Sequence, residues 1–64
     1  MPSSREIIRK LEDNGWTLDR QRGSHCQFVH RDRPGIVTVP HPVKDLTLGT
    51  LRSIYYQAGW RWPP

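Results

Sequence analysis

The spacing of the apolar residues changes twice along this chain, and that change limits the folds open to it. Ile7, Ile8 and Leu11 follow the i, i+1, i+4 pattern of a helical stripe. From Trp16 to Arg20, apolar and polar residues alternate, the period of a half-buried strand. Leu48, Leu51, Ile54 and Tyr55 then return to helical spacing. A chain of 64 residues with this pattern has room for one small domain, spanning 1–64. At such a length only ~60% of the unfolded surface is buried, which excludes two domains, a dinucleotide-binding fold or a barrel.

Local signals set the boundaries. Ser3-Ser4-Arg5-Glu6 has the pattern of a capping box, and Asn14-Gly15 suits a helix end, so the spacing predicts a helix over residues 4–14. Arg5, Arg9 and Glu12 then face water. A first strand over 16–20 leads through a tight Gln21-Arg22-Gly23 connection into a second strand over 24–30. Asp32-Arg33-Pro34-Gly35 reads as a turn. The β-branched run Ile36-Val37-Thr38-Val39 reads as a third strand, ended by Pro40 and Pro42, which cannot donate to a ladder. Thr47 suits the N-cap of a second helix and Gly59 its end. The expected fold is α+β, in the order α-β-β-β-α. A three-stranded antiparallel sheet carries both helices on one face and leaves the other open.

Several classes are excluded. Hydrophobic residues make up 34% of the chain, so the core is small and depends on a few large side chains. The single cysteine, Cys26, cannot form an internal disulfide, which rules out a disulfide-stapled secreted fold. No apolar run approaches the ~18–20 residues needed to span a bilayer. The first residues lack the basic and apolar regions of a signal peptide, so the expected location is the cytoplasm.

The formal charge is +4, and its placement says more than its size. Between residues 20 and 44, Arg20, Arg22, Arg31, Arg33 and Lys44 are opposed by Asp32 alone. All three histidines lie in the same stretch. A basic segment on a small domain favours polyanions, nucleic acid above all.

Strand alternation assigns the faces. Cys26 and Phe28 are natural core residues, which places His25 and Gln27 on the open face or at its rim. Val37 and Val39 point inward and Thr38 outward. His25 is then accessible, with Arg20, Arg22 and Lys44 within reach of the same edge. An imidazole can move protons near neutral pH, and guanidinium groups can hold phosphates and stabilise added negative charge. RNA brings its own nucleophile, the 2′-hydroxyl, so neither a protein nucleophile nor a metal is required.

Other constellations are weaker. His25, Cys26, His30 and His41 do not form an expected metal site, because strand parity sends His25 away from Cys26 and His30. Cys26 is expected to act as a small buried hydrophobe. His30 is expected at the sheet end, partly packed. His41, between two prolines, is either structural or a second proton carrier. Trp60 and Trp62 either cover the core or stack on bases, and Tyr56 is expected at the surface.

Read as strings, Arg20-Gln21-Arg22-Gly23-Ser24-His25-Cys26-Gln27-Phe28, Ile36-Val37-Thr38-Val39-Pro40-His41, Gly49-Thr50-Leu51-Arg52-Ser53-Ile54 and Gln57-Ala58-Gly59 resemble the HicA family of bacterial toxins. The likeness runs from about residue 4 to 59, and the motifs are specific as a set. It implies a fold like that of double-stranded RNA-binding domains. It implies a ribonuclease toxin of a type II toxin–antitoxin system that cleaves mRNA without metal or other cofactor and arrests growth. The histidine of Gly-Ser-His, here His25, would be the single catalytic residue. From their charge, polarity and placement around His25, and not from the resemblance, Arg20, Arg22, Ser24, Gln27, Lys44 and Arg52 are expected to contact RNA. A HicB-type antitoxin would cover the His25 face, with DNA reached only through that partner. The alternative is a non-catalytic RNA-binding module of the same fold. Cys26 departs from the aromatic or polar residue common after the histidine, and the Trp60–Pro64 tail lies outside the likeness.

Overall fold

The computed structural model describes all 64 residues. Its elements run α1 (Ser4–Asp13), β1 (Trp16–Arg22), β2 (His25–His30), β3 (Arg33–Pro40) and α2 (Leu48–Ala58). At the start of α1 the capping box is complete: Ser3 Oγ accepts from the Glu6 N–H at 3.1 Å and the Glu6 carboxylate accepts from the Ser3 N–H at 3.1 Å. Asn14 caps the other end, and Gly15 follows at φ +90°, in the left-handed region that glycine tolerates. Thr47 Oγ1 accepts from the Thr50 N–H at the start of α2, and Gly59 closes that helix in the left-handed conformation.

The strands form one antiparallel sheet in the order β1-β2-β3. Both hairpin connections are shorter than the sequence suggests. Gln21 and Arg22 belong to β1 and pair with Cys26 and His25, so Gly23 and Ser24 alone make the turn. Arg33, Pro34 and Gly35 belong to β3, and Arg33 pairs with His30 across Arg31 and Asp32. The Pro and Gly expected to form that turn instead serve an irregularity in β3, where residues 34–36 lie opposite Val29 alone.

The helices cover one face of the sheet. Ile7 and Leu11 from α1 and Leu51, Ile54, Tyr55 and Ala58 from α2 close over Trp16, Cys26, Phe28, Val37 and Val39. Two expected apolar positions are not in this core. Leu48 is 62% exposed; the core position ahead of α2 is filled by Leu46, from the preceding loop. Leu18 is 52% exposed, because β1 is an edge strand and only Trp16 of it lies under cover. Gln57 on α2 accepts from the Thr38 N–H at 3.0 Å and so satisfies part of the free edge of β3. Trp60 and Trp62 fold back edge-on against Tyr55, with ring centroids 5.1 and 5.2 Å away. They thus pack against the core. No helix is long and apolar enough to cross a membrane.

Candidate functional site

The site begins with an extra residue in β1. Trp16, Thr17 and Leu18 pair with His30, Val29 and Phe28, but Arg20 pairs with Gln27. Asp19 therefore has no partner of its own, which is a β-bulge. Strict alternation from Trp16 would turn Arg20 and Arg22 toward the helices. The bulge shifts the parity by one, and both arginines emerge on the opposite, open face.

Opposite residues in an antiparallel pair share a face. The pairings therefore define two rows across the open side of the sheet. One row is Arg20, Gln27 and Thr38; the other is Arg22, His25 and Pro40. Arg20, Arg22 and His25 are exposed and Gln27 is half-buried. Beneath them Cys26 and Phe28 are buried, and they hold β2 against the helices. Arg20 Nε lies 3.6 Å from Asp19 Oδ2, an ion pair with both side chains open to water. Such a pair is worth about 0–1 kcal/mol and does not lock the guanidinium in place.

The remaining expected site residues are spread more widely. Ser24 sits in the hairpin turn, and its carbonyl accepts from the His41 N–H at 2.7 Å. That bond holds the end of β3 beside the start of β2. Lys44 lies beyond β3, exposed, in a cleft it shares with His41. Arg52 is exposed on α2, in the helix layer, and so is not part of the two rows.

The other histidines have defined surroundings. His30 Nδ1 accepts from the Asp32 N–H at 3.0 Å, so its Nε2 carries the proton and donates to the Asn14 carbonyl at 3.0 Å. Its ring also stands 5.1 Å from that of Trp16. His30 is thus a clamp between the end of α1 and the β2–β3 hairpin. His41 Nδ1 lies 2.7 Å from Ser4 Oγ. Nothing in the sequence marks Ser4 as its buried partner, since the two are 37 positions apart. No three His, Cys, Asp or Glu side chains converge in a way that could hold a metal ion.

A family model described as the HicA toxin of bacterial toxin–antitoxin systems matches residues 4–60. Among solved structures, a chain of a "HicA3 and HicB3 toxin-antitoxin complex" is similar, with a TM-score of 0.77 and 35% identity. The match covers 92% of this chain and 96% of that one. No curated protein matches the chain significantly.

Proposed function

The chain belongs to the HicA toxin family of bacterial toxin–antitoxin systems, and from that premise we propose that it is a metal-independent endoribonuclease that cleaves mRNA, with His25 as its catalytic residue. The observation that carries this proposal is the row in which exposed His25 lies next to Arg22, beside the Arg20–Gln27 row.

An RNA strand laid over the open face meets Arg20 and Arg22 as phosphate ligands and Gln27 as a polar contact. Ser24 lines the turn at its edge. His25 takes the proton from a 2′-hydroxyl, and that oxygen attacks the adjacent phosphorus. The bond to the 5′-oxygen breaks, and the leaving oxygen is protonated from water or a neighbouring acid. The products are a 2′,3′-cyclic phosphate and a 5′-hydroxyl end. The guanidinium groups stabilise the charge gathering on the phosphoryl oxygens. Because the nucleophile belongs to the substrate, the step needs no metal-activated water. Arg52 would reach a phosphate farther along the strand.

A HicB-type antitoxin is the partner that keeps the toxin inactive, by covering the His25 face. It would match the arginines with acidic or hydrogen-bonding groups. The toxin would act in the cytoplasm, where it meets mRNA, and DNA would be reached only through the antitoxin.

The test is cleavage of single-stranded RNA by purified protein in the presence of a chelator. Wild type should produce cyclic-phosphate ends, and His25→Ala should be slower by roughly 10²–10⁴-fold, the usual contribution of a general acid or base. Equal rates would remove His25 from the mechanism. RNA bound by wild type but left intact would identify a non-catalytic RNA-binding module instead.

A further inference from the structure

Behind the edge of the His25 row, the start of α1 and the segment after β3 enclose a shallow cleft of about 420 Å³. Arg5, His41, Val43 and Lys44 contribute to its walls. It is joined directly to the site described above: His25 is the register partner of Pro40, and the His41 N–H bonds the Ser24 carbonyl.

Three features give the cleft a chemistry. First, Arg5 and Lys44 are exposed cations with no carboxylate within ion-pair distance. Second, His41 is held in place by a buried hydroxyl. Ser4, only 1% exposed, accepts from the Val43 N–H at 2.8 Å and lies 3.2 Å from the Val43 carbonyl and 2.7 Å from His41 Nδ1. All three contacts are satisfied together when His41 Nδ1–H donates to Ser4 and Ser4 donates to Val43. Third, His41 Nε2 has no protein partner, and no buried side-chain nitrogen or oxygen in the molecule lacks one. Nε2 is therefore open to solvent, and in the imidazolium form it donates to an anion.

We propose that this cleft is a second phosphodiester subsite, in which Arg5, Lys44 and His41 Nε2 hold a phosphate of the RNA strand that neighbours the one at His25. The inference rests on the ribonuclease reading and extends it: the strand passes over the Gly23-Ser24 turn and leaves the sheet face for the cleft. Arg5 is the residue this adds to the RNA path, since on the sequence alone it belongs to the solvent face of a helix.

The experiment measures binding of a single-stranded RNA oligonucleotide across a salt series, in a His25→Ala background so that RNA stays intact. Arg5→Ala with Lys44→Ala should weaken binding and lower the slope of log affinity against log salt by about 1.4, about 0.7 for each lost phosphate contact on a single strand. Both residues are exposed, so the double variant should keep its fold, checked by its thermal transition. His41→Asn should weaken binding without the full change in slope. A slope and affinity unchanged by Arg5→Ala/Lys44→Ala, while Arg20→Ala/Arg22→Ala lowers both, would overturn the subsite and leave the ribonuclease reading standing. Absence of both RNA binding and cleavage by wild type would overturn the ribonuclease reading, and the subsite with it.

Discussion

Arg22 and His25 stand directly opposite each other across the β1–β2 hairpin, with only Gly23 and Ser24 between them. Their side chains share the open face of the sheet. A two-residue turn allows little play between flanking positions, so the cation and the imidazole are set by the backbone rather than by a flexible loop. Any phosphate held by Arg22 is thereby brought to the histidine.

The first prediction concerns that pair. Arg22→Glu should weaken both RNA cleavage and antitoxin binding, each by roughly tenfold or more, the scale of losing a charge-assisted hydrogen bond. Initial rates on RNA and a titration with the antitoxin provide the check. Unchanged antitoxin affinity would mean that the inhibitor blocks the toxin from another surface.

The bulge supplies a second prediction. Deleting Asp19 removes the unpaired residue and leaves the Leu18–Phe28, Arg20–Gln27 and Arg22–His25 pairings as they are. The deletion variant should fold and bind RNA with nearly wild-type affinity. In a strand without the bulge both arginines would already face the helices, and the same deletion would bring them to the open face and raise RNA affinity. A folded variant whose RNA affinity differs clearly from that of wild type would therefore contradict the register.

A third comparison separates spacing from packing. Leu48 and Leu51 lie on the same apolar stripe by sequence, yet Leu48 is exposed and Leu51 is buried. Leu48→Gln should change stability by no more than about 0.5 kcal/mol, as surface changes usually do. Leu51→Ala should cost about 2–5 kcal/mol, through lost burial and a cavity. Denaturant unfolding of the two variants decides the matter.

Gly15 provides a fourth. Its φ is +90°, and a Cβ there would stand 2.8 Å from His30 Nε2. Gly15→Ala should cost about 1–3 kcal/mol from backbone strain, with more from displacing the His30 ring. Gly23→Ala carries the strain without the contact, because nothing lies within 4 Å of its added carbon. Gly23→Ala should therefore cost less. Equal losses in thermal unfolding would show that His30 gives way freely.

Features set by short-range physics were legible in the sequence. The capping box at Ser3, the N-cap at Thr47 and the closing Gly59 depend on bonds within one helical turn, and each is where its local signal places it. The inward set Cys26, Phe28, Val37 and Val39 follows from strand period and side-chain volume, and their burial leaves His25 exposed. The β-branched run ending at Pro40 marked the end of β3.

Other features depended on partners far away in the chain. The bulge at Asp19 arises from how two strands align, and only that alignment puts Arg20 and Arg22 beside His25. Leu46 occupies the core where helical spacing favours Leu48, because the space available is set by the sheet and not by the helix. Ser4 and His41 meet across 37 positions, and Trp62 comes to rest against Tyr55. Periodicity fixes which residue types can turn inward. Which of them do so, and which cations meet an imidazole, is decided when the elements pack, since register and coverage are properties of the assembled layers.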